Sequence, residues 1–160
     1  MAESLIEAAN ADLIVINRLL KYPTSDDDST LGIIGYHLQQ AVEKSLKAVL
    51  EDIGVDYRSL GHSIGKCYRT VNHYKPGIIS DETANVLVPY INLLTDWESS
   101  GRYPSDSLFM LSELKKLEVI AHAVYNEVAA YLGYPEFKAD GVKGTKGVSL
   151  LTFSDDSKRE

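Results

Sequence analysis

The stretch GYHLQQAVEKSLKAVL, residues 35–50, sits within a run whose small or apolar positions are Ile34, Leu38, Ala41, Val42, Ser45, Val49 and Ile53. Steps of three and four along that run place these residues on one face of a 3.6-residue period, and the run is too long for a strand. With Ile34 at zero and about 100° per residue, the apolar arc spans about 0–120°. Gln39 then falls at about 140°, Glu43 at about 180° and Lys47 at about 220°. Gln40 follows at about 240°, Lys44 at about 280° and His37 at about 300°. Glu43 and Lys47 form an i,i+4 pair in the favourable order, worth about 0.2–0.5 kcal/mol on a helix surface. One reading makes this polar set a solvated face with a single ion pair. The other makes it the lining of a site.

The same period recurs on both sides. Residues 4–22 carry Leu5, Ile6, Ala9, Leu13, Ile16, Leu19 and Leu20 on one face. PTSDDDST then interrupts: Pro23 cannot continue a helix, and the Asp, Ser and Thr that follow can cap the next one, starting near Ser29 or Thr30. Gly54 supplies a C-terminal stop. After GVDYRSLGHSI a shorter helix is expected over about Ser63 to His73. A fourth helix is expected from Asp81, burying Ala84, Val86, Leu87, Ile91, Leu94 and Trp97. A fifth restarts at Ser105 or Asp106 and carries Leu108, Leu111, Leu114, Leu117, Ile120, Ala121, Val124, Val128 and Tyr131 before Gly133. No βαβ alternation and no internal repeat is visible. The predicted fold class is all-α: an up-and-down antiparallel helical bundle of four long helices plus one short helix. It occupies residues 1–133. Residues 134–160, with KADGVKGTKG, read as a flexible C-terminal tail whose VSLLTF run could dock on a neighbour.

At 160 residues the chain suits one domain, and its net charge of −7 with a pI near 5.1 argues against loose, charge-driven nucleic-acid binding. The charge is uneven: residues 36–75 hold six basic side chains against four acidic, so a small anion has a local foothold. One cysteine, Cys67, allows no internal disulfide. No apolar run approaches a membrane span, and the first residues show no secretory leader pattern, so the expectation is a cytoplasmic protein without a membrane.

Few residues fit known chemistries. Glu118 and His122 stand four apart rather than in the Glu-x-x-His spacing of a di-iron bundle, and no second copy exists, so neither a metal nor another cofactor is expected. His122 lies in an apolar run and reads as a packed helix histidine. Cys67 lies beside Lys66, which can lower a thiol pKa, yet no base accompanies it. GVKGTKG lacks the strand and helix that a phosphate loop requires. GRYPSD, between two long helices, puts Arg102 at a loop mouth with a planar fork suited to phosphate or carboxylate, and Tyr103 beside it. The bland alternative pairs Arg102 with Asp106 or Glu98.

Taken together, HLQQAVEKSLKAVL, GHSI after a glycine-containing loop, and RYP after a long helix resemble the HEPN family, small helical domains named for higher-eukaryote and prokaryote nucleotide-binding proteins. The resemblance covers about residues 2–132. It implies a helical bundle, usually a homodimer, that in some members serves a separate minimal nucleotidyltransferase. In others it is a metal-independent RNase using Arg-x4–6-His. Here Arg102 is followed by YPSDSLFML with no histidine at that spacing; the next is His122. The resemblance thus implies a non-catalytic nucleotide- or substrate-binding module, with Gln40, Lys44, Lys47, Arg58, His62, Arg102 and Tyr103 as candidate ligand contacts. Gln39 and Glu43 belong to the same implied cleft or partner surface. The alternatives are an RNase with a non-standard site using Arg102 with His37 or His62, and a structural or antitoxin-like interaction module.

Overall fold

The computed structural model describes residues 4–26, 29–96 and 110–138. Those residues form an all-helical bundle: α1 (Leu5–Leu19), α2 (Thr30–Asp52), α3 (Ile64–Tyr74), α4 (Asp81–Leu87), α5 (Ile91–Asp96) and α6 (Leu111–Leu132), with short 3-10 turns at Arg58–Leu60 and Val88–Tyr90. The bundle expected from the periodicity is present.

Local chemistry sets most of the ends. Ser4 and Glu7 close a capping box on α1: the Ser4 hydroxyl accepts from the Glu7 amide, and the Glu7 carboxylate accepts from the Ser4 amide. Ser63 caps α3 by accepting from Lys66 N. Gly133 ends α6 with φ +85, a left-handed conformation that side chains resist. The acidic loop before α2 does something the sequence did not suggest. Ser29 makes no side-chain cap bond, and Asp26 instead accepts from the Leu111 amide at 2.7 Å, at the start of α6. A carboxylate there is favoured by the helix dipole.

The fourth expected helix is broken. Its first segment, α4, stops at Leu87, and Pro89 lies in the 3-10 turn that joins it to α5. Proline has no amide hydrogen for the ladder and crowds the preceding turn. Thr83 and Leu87, four apart, face inward, so Val86 is 47% exposed rather than buried as expected. Glu127 of α6 holds this segment down. Its carboxylate accepts from Ser80 N (2.9 Å), Ser80 Oγ (2.7 Å) and Thr83 Oγ1 (2.7 Å).

α2 is the centre of the bundle, packed by α1, α3, α5 and α6. Leu31, Ile34, Leu38, Ala41, Val42, Leu46, Ala48, Val49 and Leu50 are all in the core. They meet Ile6, Ala9, Leu13 and Ile16 of α1, and Leu114, Leu117, Val124 and Val128 of α6 in one cluster. Each fully buried aliphatic side chain contributes about 1.5–3 kcal/mol relative to exposure. Ser45, buried on this face, donates to the Ala41 carbonyl at 2.7 Å. Of the expected tail, residues 134–138 are described. Tyr134 N donates to Ala129 O, Phe137 N donates to Asn126 Oδ1, and both rings lie partly buried on the core.

Candidate functional site

Four packed neighbours leave α2 only a narrow open stripe: Ile33, Tyr36, His37, Gln40, Lys44, Lys47 and Glu51, all within about 200–300° on the wheel. Gln39 and Glu43, which the solvated-face reading would expose, are 0% and 4% exposed. They sit at the edge of the buried arc, with Glu43 reached by His62 of the loop after α2. A buried carboxylate and carboxamide need partners, and both have them.

Glu43 is the hub of one set. Lys47 Nζ lies 2.6 Å from Glu43 Oε2, and His62 Nδ1 lies 3.2 Å from both carboxylate oxygens. Gln39 Nε2 donates to Glu43 Oε1, and Gln40 Nε2 donates to Gln39 Oε1 at 2.7 Å, so the two neighbouring glutamines form an amide relay ending on the acid. Lys47 also donates to Gly61 O at 2.6 Å and stands 5.5 Å over the Tyr57 ring. With its side chain only 11% exposed, Lys47 ties the Gly61–His62 loop to α2. The Glu43–Lys47 pair of the sequence exists, but as a buried pair.

Asp12 of α1 is the hub of a second set. It is 6% exposed, in the register of Ala9, Leu13 and Ile16. Oδ1 lies 2.7 Å from His37 Nδ1, and Oδ2 lies 2.8 Å from Lys44 Nζ. An ionised carboxylate only accepts, so His37 donates from Nδ1, and a ring with a single proton then has an unprotonated Nε2. Each buried acid therefore holds one lysine and one histidine, and both triplets border the open stripe. His37 and Glu43 are six residues apart, about 9 Å along the helix axis.

The candidate residues thus separate. Gln40, Lys44, Lys47 and His62 come together on or beside one stripe. Arg58 does not join them: its Nε pairs with Asp56 Oδ1 at 3.1 Å in an exposed loop, with 86% of its side chain open. That contact lowers the Asp56 pKa, chiefly through the Arg58 amide, and raises that of Arg58. Arg102 and Tyr103 lie outside the described residues. Asp12 was missed by the sequence reading. Its signal was an acid at a core-register position of an otherwise apolar face.

Cys67 lies near this site, fully buried, with its thiol pushed up to about 11 by burial. Lys47 is the group that opposes that shift, in place of Lys66, the activator expected from the sequence. Such a thiol is a packing group. His122 lies elsewhere, on α6, its ring tilted at 42° to that of Phe137 with centroids 4.9 Å apart. Among the described residues, no group of three or more His, Cys, Asp or Glu side chains is placed to hold a metal ion, and no helix is long and apolar enough to cross a membrane.

A helical bundle whose central helix presents a histidine- and lysine-bearing stripe over buried acids is a small α-helical domain with a polar stripe on its surface. The sequence matches the HEPN domain family over residues 2–131, and the chain belongs to that family. No curated protein and no solved structure matches it.

Proposed function

We propose that this chain is a non-catalytic nucleotide- or substrate-binding HEPN module that works in the cytoplasm as a homodimer, alongside a separate minimal nucleotidyltransferase. The observation that carries this reading is the stripe on α2. Lys44 and His37 are held at fixed positions by a carboxylate beneath them, and Gln40 lies one turn before Lys44. Preorganised donors lose little freedom when a ligand arrives. In this reading Gln40, Lys44, His37 and His62 meet the ligand. Lys47 supports the His62 loop, and Arg102 and Tyr103, outside the described residues, are further candidate contacts. HEPN domains commonly dimerise. Ile33, 51% exposed and one turn before His37, offers a second subunit an apolar foothold beside the stripe.

Calorimetric titration of the purified chain with ATP, GTP and AMP tests the reading. Micromolar binding, weakened about tenfold (roughly 1.4 kcal/mol) by Gln40→Ala and by Arg102→Ala, is the expected result. No heat with any nucleotide, and no nucleotidyltransferase retained from native extracts, would refute it.

A second reading, an RNase with a non-standard site, is favoured by one observation: His37 and His62 both turn Nδ1 to a buried carboxylate, an arrangement that orients an imidazole for proton transfer. Loss of a labelled RNA with wild-type protein, but not with His37→Gln or His62→Gln, would favour it. Intact RNA after prolonged incubation would end it.

A further inference from the structure

The charges around the stripe cancel while its imidazoles are neutral. Asp12 and Glu43 are matched by Lys44 and Lys47, and the chain as a whole carries −7. In that state the stripe does not attract an anion. The tautomer adds a sharper constraint. His37 spends its Nδ1–H on Asp12 at 2.7 Å, so in the neutral ring Nε2 has only a lone pair to present, and a phosphate oxygen there is repelled. An imidazolium donates from both nitrogens at once. Asp12 then stabilises the cation from behind while Nε2–H meets the ligand. Tyr36 stands edge-on to the His37 ring at 5.4 Å, and Lys44 pairs with the other oxygen of the same Asp12 carboxylate. The His37 side chain is 25% exposed, so a ligand can reach it.

We propose that the stripe binds the phosphate monoester of a nucleotide, and that binding is coupled to uptake of a proton by His37. The phosphate is held between His37 Nε2–H and the Lys44 ammonium. This rests on the binding reading above and specifies which part of the ligand the stripe takes and how pH controls it. The proton comes from solvent and returns to it on release. No bond to the ligand is made or broken.

The experiment is calorimetry of the full chain with AMP from pH 7.5 to 8.5, where the phosphate, with its second pKa of about 6, is already a dianion. Each pH is run in HEPES and in Tris, whose different ionisation heats report the protons taken up. The expected result is uptake approaching one proton per AMP and affinity falling about tenfold per pH unit, both lost in His37→Gln. Adenosine, which lacks the phosphate, should bind without uptake or not at all. Nitrogen spectra of the wild-type histidines need no variant: His37 should pass from Nδ1–H alone to both nitrogens protonated on AMP binding. AMP binding with no proton uptake, or with uptake unchanged by His37→Gln, overturns this proposal and leaves the binding module standing. No binding of any nucleotide between pH 6 and 8.5 overturns this proposal, and if native extracts also yield no retained nucleotidyltransferase it overturns the binding module as well.

Discussion

Replacing Lys47 with methionine separates a buried ion pair from a surface one. The stem of the side chain stays and the ammonium goes. On a solvated helix face the Glu43–Lys47 pair would be worth about 0.2–0.5 kcal/mol. Here Glu43 is 6% and Lys47 11% exposed in their side chains, with 2.6 Å between them. Taking one partner from a buried pair leaves an uncompensated charge and costs about 3–5 kcal/mol. Gln39, on α2 itself, still donates to Glu43 in the variant, which places the expected loss at the lower end, about 3 kcal/mol. The Lys47 bond to Gly61 O goes too, so the His62 loop should loosen.

The assay is urea denaturation followed by helical circular dichroism at neutral pH, with a thermal scan beside it. A loss of about 3 kcal/mol corresponds to a fall of about 6–12 °C in a chain of this size. Glu43→Gln combined with Lys47→Met removes both charges and should recover at least about 1 kcal/mol relative to the sum of the single losses, as groups in contact do. Arg58→Ala, which breaks an exposed pair, is the control and should leave the midpoint unmoved. A Lys47→Met loss below about 0.5 kcal/mol, the most that an exposed pair of this spacing supplies, would refute the buried hub and restore the solvated face.

The solvated-face reading of Gln39 and Glu43 fails for a definite reason. The wheel of α2 gave Leu38, Ala41, Val42, Ser45 and Val49 correctly, because period alone identifies a helix face that must be buried. It gave no measure of how wide the buried arc is. The width depends on how many neighbours wrap the helix, and α2 has four. Gln39 and Glu43, just past the apolar arc, are both buried, and the loop after α2 reaches Glu43 through His62. The path of that loop depends on Gly61 at φ +59 and on the Lys47 anchor rather than on any periodicity. Asp12 and Lys44 are 32 positions apart, and only the packing of α1 on α2 joins them. The acid in the Ala9–Leu13–Ile16 register was the one local hint. Helix ends were legible where a cap or a left-handed glycine marks them, at Ser63, Gly54 and Gly133. The break at Pro89 was legible in principle, because proline in a helical run is itself a signal. The family resemblance added His62 through GHSI, which period and spacing alone did not single out.

Three further outcomes follow from the packing. Glu127→Ala, which strips three acceptor contacts from Ser80 and Thr83, should cost about 2 kcal/mol in urea denaturation, and an unchanged midpoint would show that α4 is held by other contacts. Cys67, with its thiol pushed up to about 11, should react with a disulfide reagent at pH 8 at least about a hundredfold more slowly than in urea; the unfolded thiol ionises from about pH 8.5 while the folded one keeps its proton, so stability should fall as pH rises from there, and Cys67→Ala should flatten the fall. His122 Nε2 is buried with no hydrogen-bond partner among the described residues, Glu118 standing 3.9 Å away, and burial lowers its pKa. The folded ring resists a proton that the unfolded ring accepts, so His122 should cost stability as pH falls below its ordinary value of about 6.5. Glu118, raised by burial, opposes this by taking up its own proton more readily in the folded state, but only in the more acidic carboxylate range. His122→Leu removes the orphaned nitrogen and keeps the contact with Phe137, so it should stabilise the fold by about 1 kcal/mol at pH 7 and by more at pH 5.5. If the variant were less stable than wild type at both pH values, the ring nitrogen would have a partner that the packing of α6 against residues 134–138 does not supply.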